Sequence, residues 1–239
     1  MIVETIKHVC TGCGSEDIVK NGKNRYGKQQ FKCKACGKQA VLQPNVKYSE
    51  TRKAEILAAY QERPSMRGIS RIYGVSRQTL ATWLKKKACE CDLKESLVAA
   101  QPDDVLELDE VWSFVMKKTR KRWLWTAMCR RTRQIVAFVI GDRSAKTCTK
   151  LWKRIAERYK RCHSFSDLWE AYRKVFSKDT HTSVPKQVGE TCHMERFNNT
   201  LRQRLARYVR RTLSFSKSDY MHHVVTKCFI ITYNRQCVS

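Results

Sequence analysis

The spacing of apolar positions changes near residue 103 of this chain. Between residues 50 and 87, apolar side chains recur every three or four positions, which predicts helices. Beyond Pro102, the segments 105–115, 122–128 and 135–140 are nearly continuous apolar runs, which are typical of buried strands. The pattern therefore predicts a helical N-terminal part and a sheet-containing C-terminal part, with a linker over 89–103.

Three short helices are predicted over 50–61, 66–73 and 77–87. Gly74 is expected to take a left-handed turn, Val75 to fill the interface between helices, and Ser76 to cap the next helix. This layout is that of a helix-turn-helix over 48–88, whose second helix would enter the major groove of DNA. An ordinary helical hairpin in a scaffold remains the alternative. The positions expected inside are Ala54, Leu57, Ala58, Tyr60, Ile69, Ile72, Leu80, Trp83 and Leu84, and those expected to contact DNA are Ser76, Arg77, Gln78, Thr79, Lys85 and Lys86.

Two Cys-x-x-Cys pairs lie near the start of the chain, separated by residues 14–32. Each pair can direct two thiolates to one tetrahedral Zn²⁺, and the gap is long enough for a hairpin. Asn21-Gly22 and Tyr26-Gly27 are turn signals, and 29–33 can form a short strand. We expect a structural zinc ribbon over 1–45, with a redox-active or merely buried thiol set as the alternative. The predicted zinc ligands are Cys10, Cys13, Cys33 and Cys36.

Charge and composition limit the classes of function. The 239 residues include 48 Lys and Arg against 22 Asp and Glu, a formal net charge of +26. Such an excess favours a polyanionic partner, above all nucleic acid, although general solubility is an alternative. No apolar run approaches the roughly 20 residues that span a bilayer. We therefore expect a cytoplasmic protein with no membrane association.

The order of elements beyond residue 104 indicates a particular fold class. Three strands are followed by a helix over 146–159, a strand over 162–166, a helix over 167–176, a strand over 181–184 and a helix over 190–210, with a basic turn over 117–122. This is the order of an RNase H-like fold. The chain is thus predicted to be a multidomain α+β and α/β protein, with a catalytic domain over 104–239.

Three acidic residues stand where that fold brings side chains together. Asp109 lies in the first strand, Asp167 follows the fourth, and Glu195 lies on the late helix. A buried carboxylate is costly unless it is paired or coordinated, and oxygen-rich sites select Mg²⁺ or Mn²⁺. Strand alternation puts Glu110 on the face opposite Asp109, so we do not expect both to be ligands.

Each acid also has a structural alternative. Asp109 could be an ion-pair partner, with Glu107 or Glu110 in its place, and Asp167 could simply cap a helix. Glu195 could pair with Arg196 or Arg202 on the helix surface. Only the three acids in this order support catalysis.

A basic stretch follows Glu195. The predicted helix would place Arg204, Arg207 and Arg211 on one face, where with Arg202 they could hold phosphates beside the acids. A plain solvated face is the alternative.

Three motifs together resemble the insertion-sequence-one transposases over nearly the whole chain. They are Leu108-Asp109-Glu110-x-Trp112, Ser166-Asp167-Leu168-Trp169-Glu170-Ala171-Tyr172, and the long block from Glu195-Arg196-Phe197-Asn198 to Lys217. The resemblance implies that Asp109, Asp167 and Glu195 are the DDE acids, and that the N-terminal module binds terminal inverted repeats. Proteins of that family are often made by frameshifting between two reading frames, whereas this sequence is continuous.

The expected protein is a prokaryotic, nucleoid-associated transposase that cleaves and joins DNA strands with Mg²⁺ or Mn²⁺. Its partners would be double-stranded DNA of the element ends and the target, held by a homodimer or larger synaptic complex. A non-catalytic zinc and helix-turn-helix regulator, an inactive transposase remnant, is the main alternative. A tyrosine recombinase that uses Tyr220 or Tyr233 as nucleophile is a third, but its Arg and His constellation is not seen.

Overall fold

The computed structural model describes residues 7–42 and 48–238 of the chain. Contacts divide the chain into two compact units, Met1–Lys53 and Ala54–Ser239. The described part contains two β-sheets and eight α-helices, so the protein belongs to the mixed α/β class.

The first unit contains a three-stranded antiparallel sheet, formed by β1 (Ile18–Lys23), β2 (Gln29–Cys33) and β3 (Gln39–Val41) in that order. The strand predicted over 29–33 is confirmed. Asn24 makes the turn before β2, where its side-chain oxygen accepts hydrogen bonds from the backbone N–H groups of Tyr26 and Lys28. The turn predicted at Asn21-Gly22 is wrong, because these residues lie inside β1, where the pairing register shifts.

Three helices follow: α1 (Glu50–Tyr60), α2 (Met66–Tyr73) and α3 (Arg77–Glu90). The turn between α2 and α3 is confirmed in detail. Gly74 has a φ of 66°, Val75 is fully buried, and the Ser76 hydroxyl accepts a hydrogen bond from the Thr79 backbone N–H at 3.0 Å. The geometry is that expected of a left-handed C-cap followed by an N-cap.

The inner faces of these helices are only partly as predicted. Leu80, Leu84, Ile69 and Tyr60 are buried, and Ile56 joins them. The prediction was wrong for Ala54, Ala58 and Ile72, which are exposed, and Leu57 and Trp83 are half-buried. Short helices present few turns to the core, so a shift of one position in the buried stripe is enough to expose these side chains.

The predicted linker is attached to the sheet that follows it. Residues 94–96 form one 3₁₀ turn, after which the chain is extended. Gln134 accepts a hydrogen bond from the Val98 backbone N–H at 2.8 Å and donates one to the Ser96 carbonyl at 2.6 Å. Tyr159 donates to the Val98 carbonyl at 3.1 Å. The segment is thus a bonded part of the second unit.

The second unit is built on a five-stranded sheet. Its first three strands, β4 (Val105–Val115), β5 (Lys117–Cys129) and β6 (Ile135–Gly141), are antiparallel. The short strands β7 (His163–Ser166) and β8 (His181–Ser183) add parallel to β4, giving the order β6-β5-β4-β7-β8. The turn predicted over 117–122 is wrong, because Met116, with a φ of 68°, makes the turn and the basic residues continue β5.

Helices cover both faces of this sheet. On one face lie α4 (Ala145–Arg154), the short α5 (Glu157–Lys160) and α6 (Glu170–Val175), which pack on Leu106, Leu108 and Trp125. On the other face lies α7 (Cys192–Arg204), followed by a 3₁₀ turn over 206–208. The helix predicted over 190–210 was therefore too long at its C-terminal end.

The last helix, α8 (Asp219–Gln236), was not assigned in the sequence analysis. It packs beside α7 through Phe229, whose ring lies 6.3 Å from that of Phe197. Asn234 is fully buried, and its amide bonds both the N–H and the carbonyl of Ile135 at the start of β6. In the described part of the chain, no helix combines the length and apolarity needed to cross a membrane.

Candidate catalytic site and metal centre

The open edge of β4 holds the acidic residues. Strand β7 pairs with β4 at residues 105–107 and ends at Ser166, and within the described residues no strand pairs with this edge of β4 from residue 108 to residue 114. Asp109 faces α7, where its Oδ2 accepts a hydrogen bond from the Asn198 amide at 2.7 Å. Glu110 faces α6, where its Oε2 accepts one from the Tyr172 hydroxyl at 2.9 Å. The predicted strand alternation is therefore confirmed.

Three carboxylates nevertheless meet at this edge. One oxygen from each of Asp109, Glu110 and Asp167 lies within 4.8 Å of the others. Glu110 therefore belongs to the same cluster as Asp109, although it lies on the opposite face of β4. Where no strand is paired to β4, side chains from both faces can approach one another around the edge, and Asp167, which follows β7, joins them. A cluster of this kind has the oxygen ligands that Mg²⁺ and Mn²⁺ prefer.

Glu110 lies in a strongly perturbed environment. Burial, followed by the charges of Asp109 and Asp167, raises its pKa to about 7. Arg143 acts in the opposite direction, donating to Glu110 Oε1 from its Nε at 2.7 Å. The Arg143 guanidinium is itself held 4.0 Å from the centre of the Trp169 ring. Glu110 is thus tied to protein groups on both of its oxygens.

Asp167 both joins the cluster and starts a helical segment. It is half-buried, and its Oδ1 accepts a hydrogen bond from the Trp169 backbone N–H at 3.0 Å, just before α6. The capping role considered as an alternative is therefore present together with membership of the cluster.

Glu195 is not a member of the 4.8 Å cluster. It lies exposed in the first turn of α7, whereas Asn198, one turn later, reaches Asp109. Residues three apart on a helix are neighbours on its surface, about 4.5 Å apart along the axis. The structure therefore brings two of the three predicted acids together and leaves the third nearby on the same helix.

The sequence analysis did not identify Asn198. Its Nδ2 donates to Asp109, so its Oδ1 is fixed as the remaining acceptor. This oxygen is buried and accepts no hydrogen bond within the described part of the chain. A buried amide oxygen of this kind fits a cation or a water bound to one. Its place in the motif Glu195-Arg196-Phe197-Asn198, three residues after Glu195, was the signal that the sequence offered.

Glu107 positions the helix that carries Asn198. Its side chain is fully buried, and Oε2 accepts hydrogen bonds from the backbone N–H groups of His193 at 3.1 Å and Met194 at 3.0 Å. Oε1 accepts from His193 Nδ1 at 2.6 Å and from Arg130 Nε at 2.9 Å. The N-cap residue Thr191 makes no capping bond of its own, so Glu107 supplies the acceptor that the first turn of α7 needs.

The four N-terminal cysteines form a second cluster, with their sulfurs within 4.8 Å of one another. Cys10 lies 3.6 Å from Cys36, and Cys13 lies 3.6 Å from Cys33. A tetrahedral zinc with bonds of about 2.3 Å would put its sulfur ligands about 3.8 Å apart, so the spacing fits. Hydrogen bonds from the backbone N–H groups of Gly12 and Cys13 lower the pKa of Cys10 to about 6, which favours the thiolate form. The cluster is compatible with a zinc ribbon.

The residues predicted to contact DNA from this part of the chain lie at the start of α3 and further along it, and they differ in exposure. Arg77 and Gln78 point to solvent, Thr79 is half-buried, and the Ser76 hydroxyl is used as the helix cap. Further along, Lys85 lies half-buried, 5.6 Å from the centre of the Tyr220 ring, and exposed Lys86 pairs with Glu90 at 3.6 Å.

The four arginines predicted beside the acids have different surroundings. The shared helical face of Arg204, Arg207 and Arg211 was wrong, because α7 ends at Arg204. Arg207 is buried, and its guanidinium donates to the Tyr60 hydroxyl at 2.6 Å and to the Ser216 hydroxyl at 2.9 Å. Arg204 pairs with Glu62 of the segment after α1 at 2.5 Å.

Arg202 and Arg211 differ from these two. Arg202 is half-buried and donates to the Tyr208 carbonyl at 3.2 Å, and burial, with the charge of Arg210, lowers its pKa. Arg211 is exposed. Two of the four arginines therefore form contacts within the second unit, and Arg211 alone of the four is exposed.

Fold and site together define a mixed α/β protein with a carboxylate cluster suited to divalent cations and a separate four-cysteine cluster. Comparison with known proteins narrows this class. The family model described as IS1 transposase matches residues 104–235. The chain therefore belongs to the IS1 transposase family and is a transposase.

Individual relatives agree with this assignment. Protein InsB of insertion element iso-IS1n from Shigella dysenteriae is 37% identical over 128 residues, 53% of this chain and 93% of that protein. Protein InsB of insertion element IS1 from Shigella flexneri is 37% identical over 119 residues, 50% of this chain and 88% of the relative. The InsB protein of insertion element IS1 4 from Escherichia coli strain K12 is 36% identical over 119 residues, which are 50% of this chain and 69% of that protein.

Proposed function

We propose that this transposase cleaves and joins DNA strands at the open edge of β4, with divalent cations held by Asp109, Asp167 and Glu195. The observation that carries the proposal is the approach of the Asp109 and Asp167 carboxylates within 4.8 Å, in a chain of the IS1 transposase family. Bound Mg²⁺ or Mn²⁺ would supply the positive charge that activates an attacking oxygen and stabilises a leaving one.

Two phosphodiester displacements make up the proposed reaction. In the first, water attacks the phosphorus at the element end, the bond to the 3′ oxygen breaks, and that oxygen takes up the proton that the water releases. In the second, the new 3′-hydroxyl attacks a target phosphodiester, loses its proton, and displaces the target's own 3′ oxygen, which is protonated. The acids would hold the cations, and Asn198 holds the Asp109 carboxylate by its hydrogen bond.

Glu195 is proposed as the third acidic ligand, with Glu110 in a supporting role. Both oxygens of Glu110 are already engaged by Arg143 and Tyr172, whereas Glu195 is exposed one turn from Asn198. As a ligand, Glu195 would turn its side chain toward the cluster, and the cation would compensate the added negative charge.

The strand order β6-β5-β4-β7-β8, with helices on both faces, supports an RNase H-like fold for the second part of the chain. We accordingly propose a zinc ribbon over 1–45, a helix-turn-helix over 48–88, a connecting segment over 89–103 and a catalytic domain over 104–239. The ribbon would hold Zn²⁺ on Cys10, Cys13, Cys33 and Cys36. The N-terminal part would bind the terminal inverted repeats of the element.

DNA contacts are proposed for the exposed start of α3, through Arg77 and Gln78, with further phosphate contacts from Lys86 and Arg211. Because two element ends must be joined to one target, a homodimer or larger synaptic complex is the proposed working form. Nucleoid association follows from the DNA contacts.

A strand-transfer assay with labelled DNA from the ends of the element tests this proposal. We expect Asp109→Asn to slow Mg²⁺-dependent cleavage and joining by at least about 100-fold, the scale on which removing one charge-stabilising group slows catalysis. Asp103→Asn is the matched control, since Asp103 is exposed and outside the cluster. Equal rates for wild type and Asp109→Asn would contradict the proposal.

The same assay separates the third ligand. Glu195→Gln should abolish Mg²⁺-dependent joining, because it removes a proposed ligand. Glu110→Gln should keep measurable activity, because Glu110 is outside the proposed ligand set and the amide oxygen of glutamine can still accept the hydrogen bond from Tyr172. The opposite result would assign the ligand role to Glu110.

A non-catalytic DNA-binding regulator is the second candidate, and the exposed start of α3 favours it independently of the acids. That function predicts binding to the element ends with no cleavage in either Mg²⁺ or Mn²⁺. A protein–DNA covalent adduct through Tyr220 or Tyr233 would instead indicate a tyrosine recombinase.

A further inference from the structure

The helix-turn-helix packs directly on the last helix of the chain. Lys227 of α8 donates to the Ala88 carbonyl at 2.7 Å, and the Cys228 thiol approaches the Leu84 carbonyl at 3.5 Å. The Arg63 backbone N–H donates to the carbonyl of Arg204 at the end of α7 at 2.8 Å. These contacts fix the orientation of α3 relative to α7 and α8 within the second unit.

This packing creates a cleft of about 820 Å³ between the start of α3 and the segment 213–217, which we call the junction cleft. One wall comes from α2 and α3, and includes the side chains of Arg67, Arg71 and Arg77. The opposite wall comes from the segment that follows α7, and includes Leu213 and Lys217. The exposed start of α3 carries the side chains that would read bases. It therefore lines a cleft whose second wall comes from another part of the chain.

The second wall is anchored to the sheet. The Met116 backbone N–H donates to the Ser216 carbonyl at 2.9 Å, just beyond the end of β4. The ring of Phe215 lies 5.5 Å from that of Phe114, and the Lys217 ammonium lies 4.0 Å from the centre of the Phe215 ring. The wall is thus held at several points, and Lys217 is held at the cleft.

The charge of the junction cleft is of one sign. None of the described residues that line it is acidic, while Arg67, Arg71, Arg77 and Lys217 are exposed basic residues. None of the four forms an ion pair with any residue in the described part of the chain. Unpaired like charges facing one cleft repel one another, and an anionic occupant relieves that repulsion.

Leu213 adds a second property to this surface. Its side chain is 96% exposed, next to Arg210 and Arg211, which are also exposed. An apolar side chain beside basic ones suits DNA, which offers phosphates together with apolar sugar and base surfaces. The volume of the cleft is in the range of small-molecule binding sites. The cleft is therefore large enough for the backbone of one DNA strand but too small for a whole duplex.

We propose that the junction cleft grips the backbone of one strand of the duplex that α3 reads, with Lys217 and Leu213 on one side and Arg67 and Arg71 on the other. This rests on the proposed function, since it assumes that α3 faces DNA. The DNA-binding surface is then composite, because the segment after α7 completes it. The helix-turn-helix alone supplies only one of its walls.

The test is DNA binding by the full-length protein, measured by fluorescence anisotropy on a labelled 30-base-pair duplex from the element end, without Mg²⁺. We expect Lys217→Ala to weaken binding and to lower the slope of log affinity against log salt by about 1, as for one lost phosphate contact. Wild type should therefore lose about 4-fold more affinity than this variant between 50 and 200 mM salt. The double variant Arg67→Ala with Arg71→Ala should lower the slope by about 2.

Lys178→Ala is the matched control, because Lys178 is exposed and lies outside the cleft. It should leave the affinity and the salt slope unchanged. Ethylation interference then locates the lost contact. With Lys217→Ala, interference should disappear at a phosphate on one strand, beside those that α3 contacts.

An unchanged salt slope for Lys217→Ala, or an unchanged interference pattern, overturns the proposal. Failure of the proposed catalysis looks different, because Asp109→Asn would then join strands normally while the binding measurements stayed the same. Leu213→Ala gives a further readout: weaker binding with an unchanged salt slope, since an apolar contact releases no counterion. Undiminished binding by Leu213→Ala removes Leu213 from the proposed surface.

Discussion

The Glu107 carboxylate accepts a hydrogen bond from the backbone N–H of Met194 at 3.0 Å, joining the middle strand of the sheet to the first turn of α7. The same carboxylate bonds Arg130, whose other partner is Glu190 just before that helix. The position of α7, and therefore of Asn198 and Glu195, depends on this one buried side chain.

We predict that Glu107→Ala lowers the free energy of unfolding by about 3–5 kcal/mol, because it leaves Arg130 and the first turn of α7 without their buried partner. Urea unfolding, followed by tryptophan fluorescence, measures the change. Glu157→Ala is the control: its side chain is 85% exposed in a surface pair with Lys160, so a change within about 0.5 kcal/mol is expected. Similar losses in both variants would contradict the anchoring role.

Removal of the Asn198 amide should affect metal-dependent activity more than folding. We predict that Asn198→Ala lowers Mg²⁺-dependent strand joining by about 10–100-fold, the usual effect of losing a group that orients a metal ligand. Asn199→Ala is the matched control, since Asn199 is the exposed neighbour on the same helix. A titration of activity against Mg²⁺ should show a higher metal requirement for Asn198→Ala alone. If both variants have the wild-type requirement, Asn198 has no part in the site.

Loss of one cysteine of the N-terminal cluster should release zinc. Cys33→Ser is expected to contain less than one zinc per chain. The substitution leaves three of the four sulfur ligands, and metal binding and folding of such a small unit depend on all four. Cys89→Ser, at an exposed cysteine outside the cluster, should keep the full content. Elemental analysis of the purified proteins decides between them, and equal zinc in both would argue against this ligand set.

His222 should make stability depend on pH. It is fully buried on α8, between the hydroxyls of Ser113 and Ser216, and burial, followed by the charge of Arg207, lowers its pKa to about 3. In the unfolded chain His222 binds a proton near pH 6.5, whereas in the folded chain its side chain stays neutral. The contribution of His222 to stability is therefore fully present above pH 6.5 and is lost as the pH falls toward 3.

The variant His222→Gln isolates this effect, since glutamine can bond both hydroxyls without titrating. Lowering the pH from 7.5 to 5.5 should cost the wild type about 1.4 kcal/mol more than the variant. Parallel urea titrations at the two pH values give the difference. Identical pH dependence in the two proteins would show that His222 titrates normally in the folded state.

Much of the local structure follows from short stretches of sequence. The turn at Gly74-Val75-Ser76 and the strand over 105–115 needed only neighbouring residues, because capping and strand pattern are local properties. Long-range outcomes were different. Arg207 was expected on a surface, but the end of α7 turns it inward to Tyr60, which is 147 positions earlier in the chain.

The sequence by itself determined that this is an IS1-type transposase with a four-cysteine cluster, a Gly74 turn and an acidic strand, because each rests on residue types at fixed spacing. Tertiary structure decided which groups meet at the open edge of β4. Glu110 comes near Asp109 where β7 has ended, and Asn198 contacts Asp109 from a helix whose first turn is bonded to Glu107. Such meetings depend on where distant elements end and pack, which no local spacing encodes.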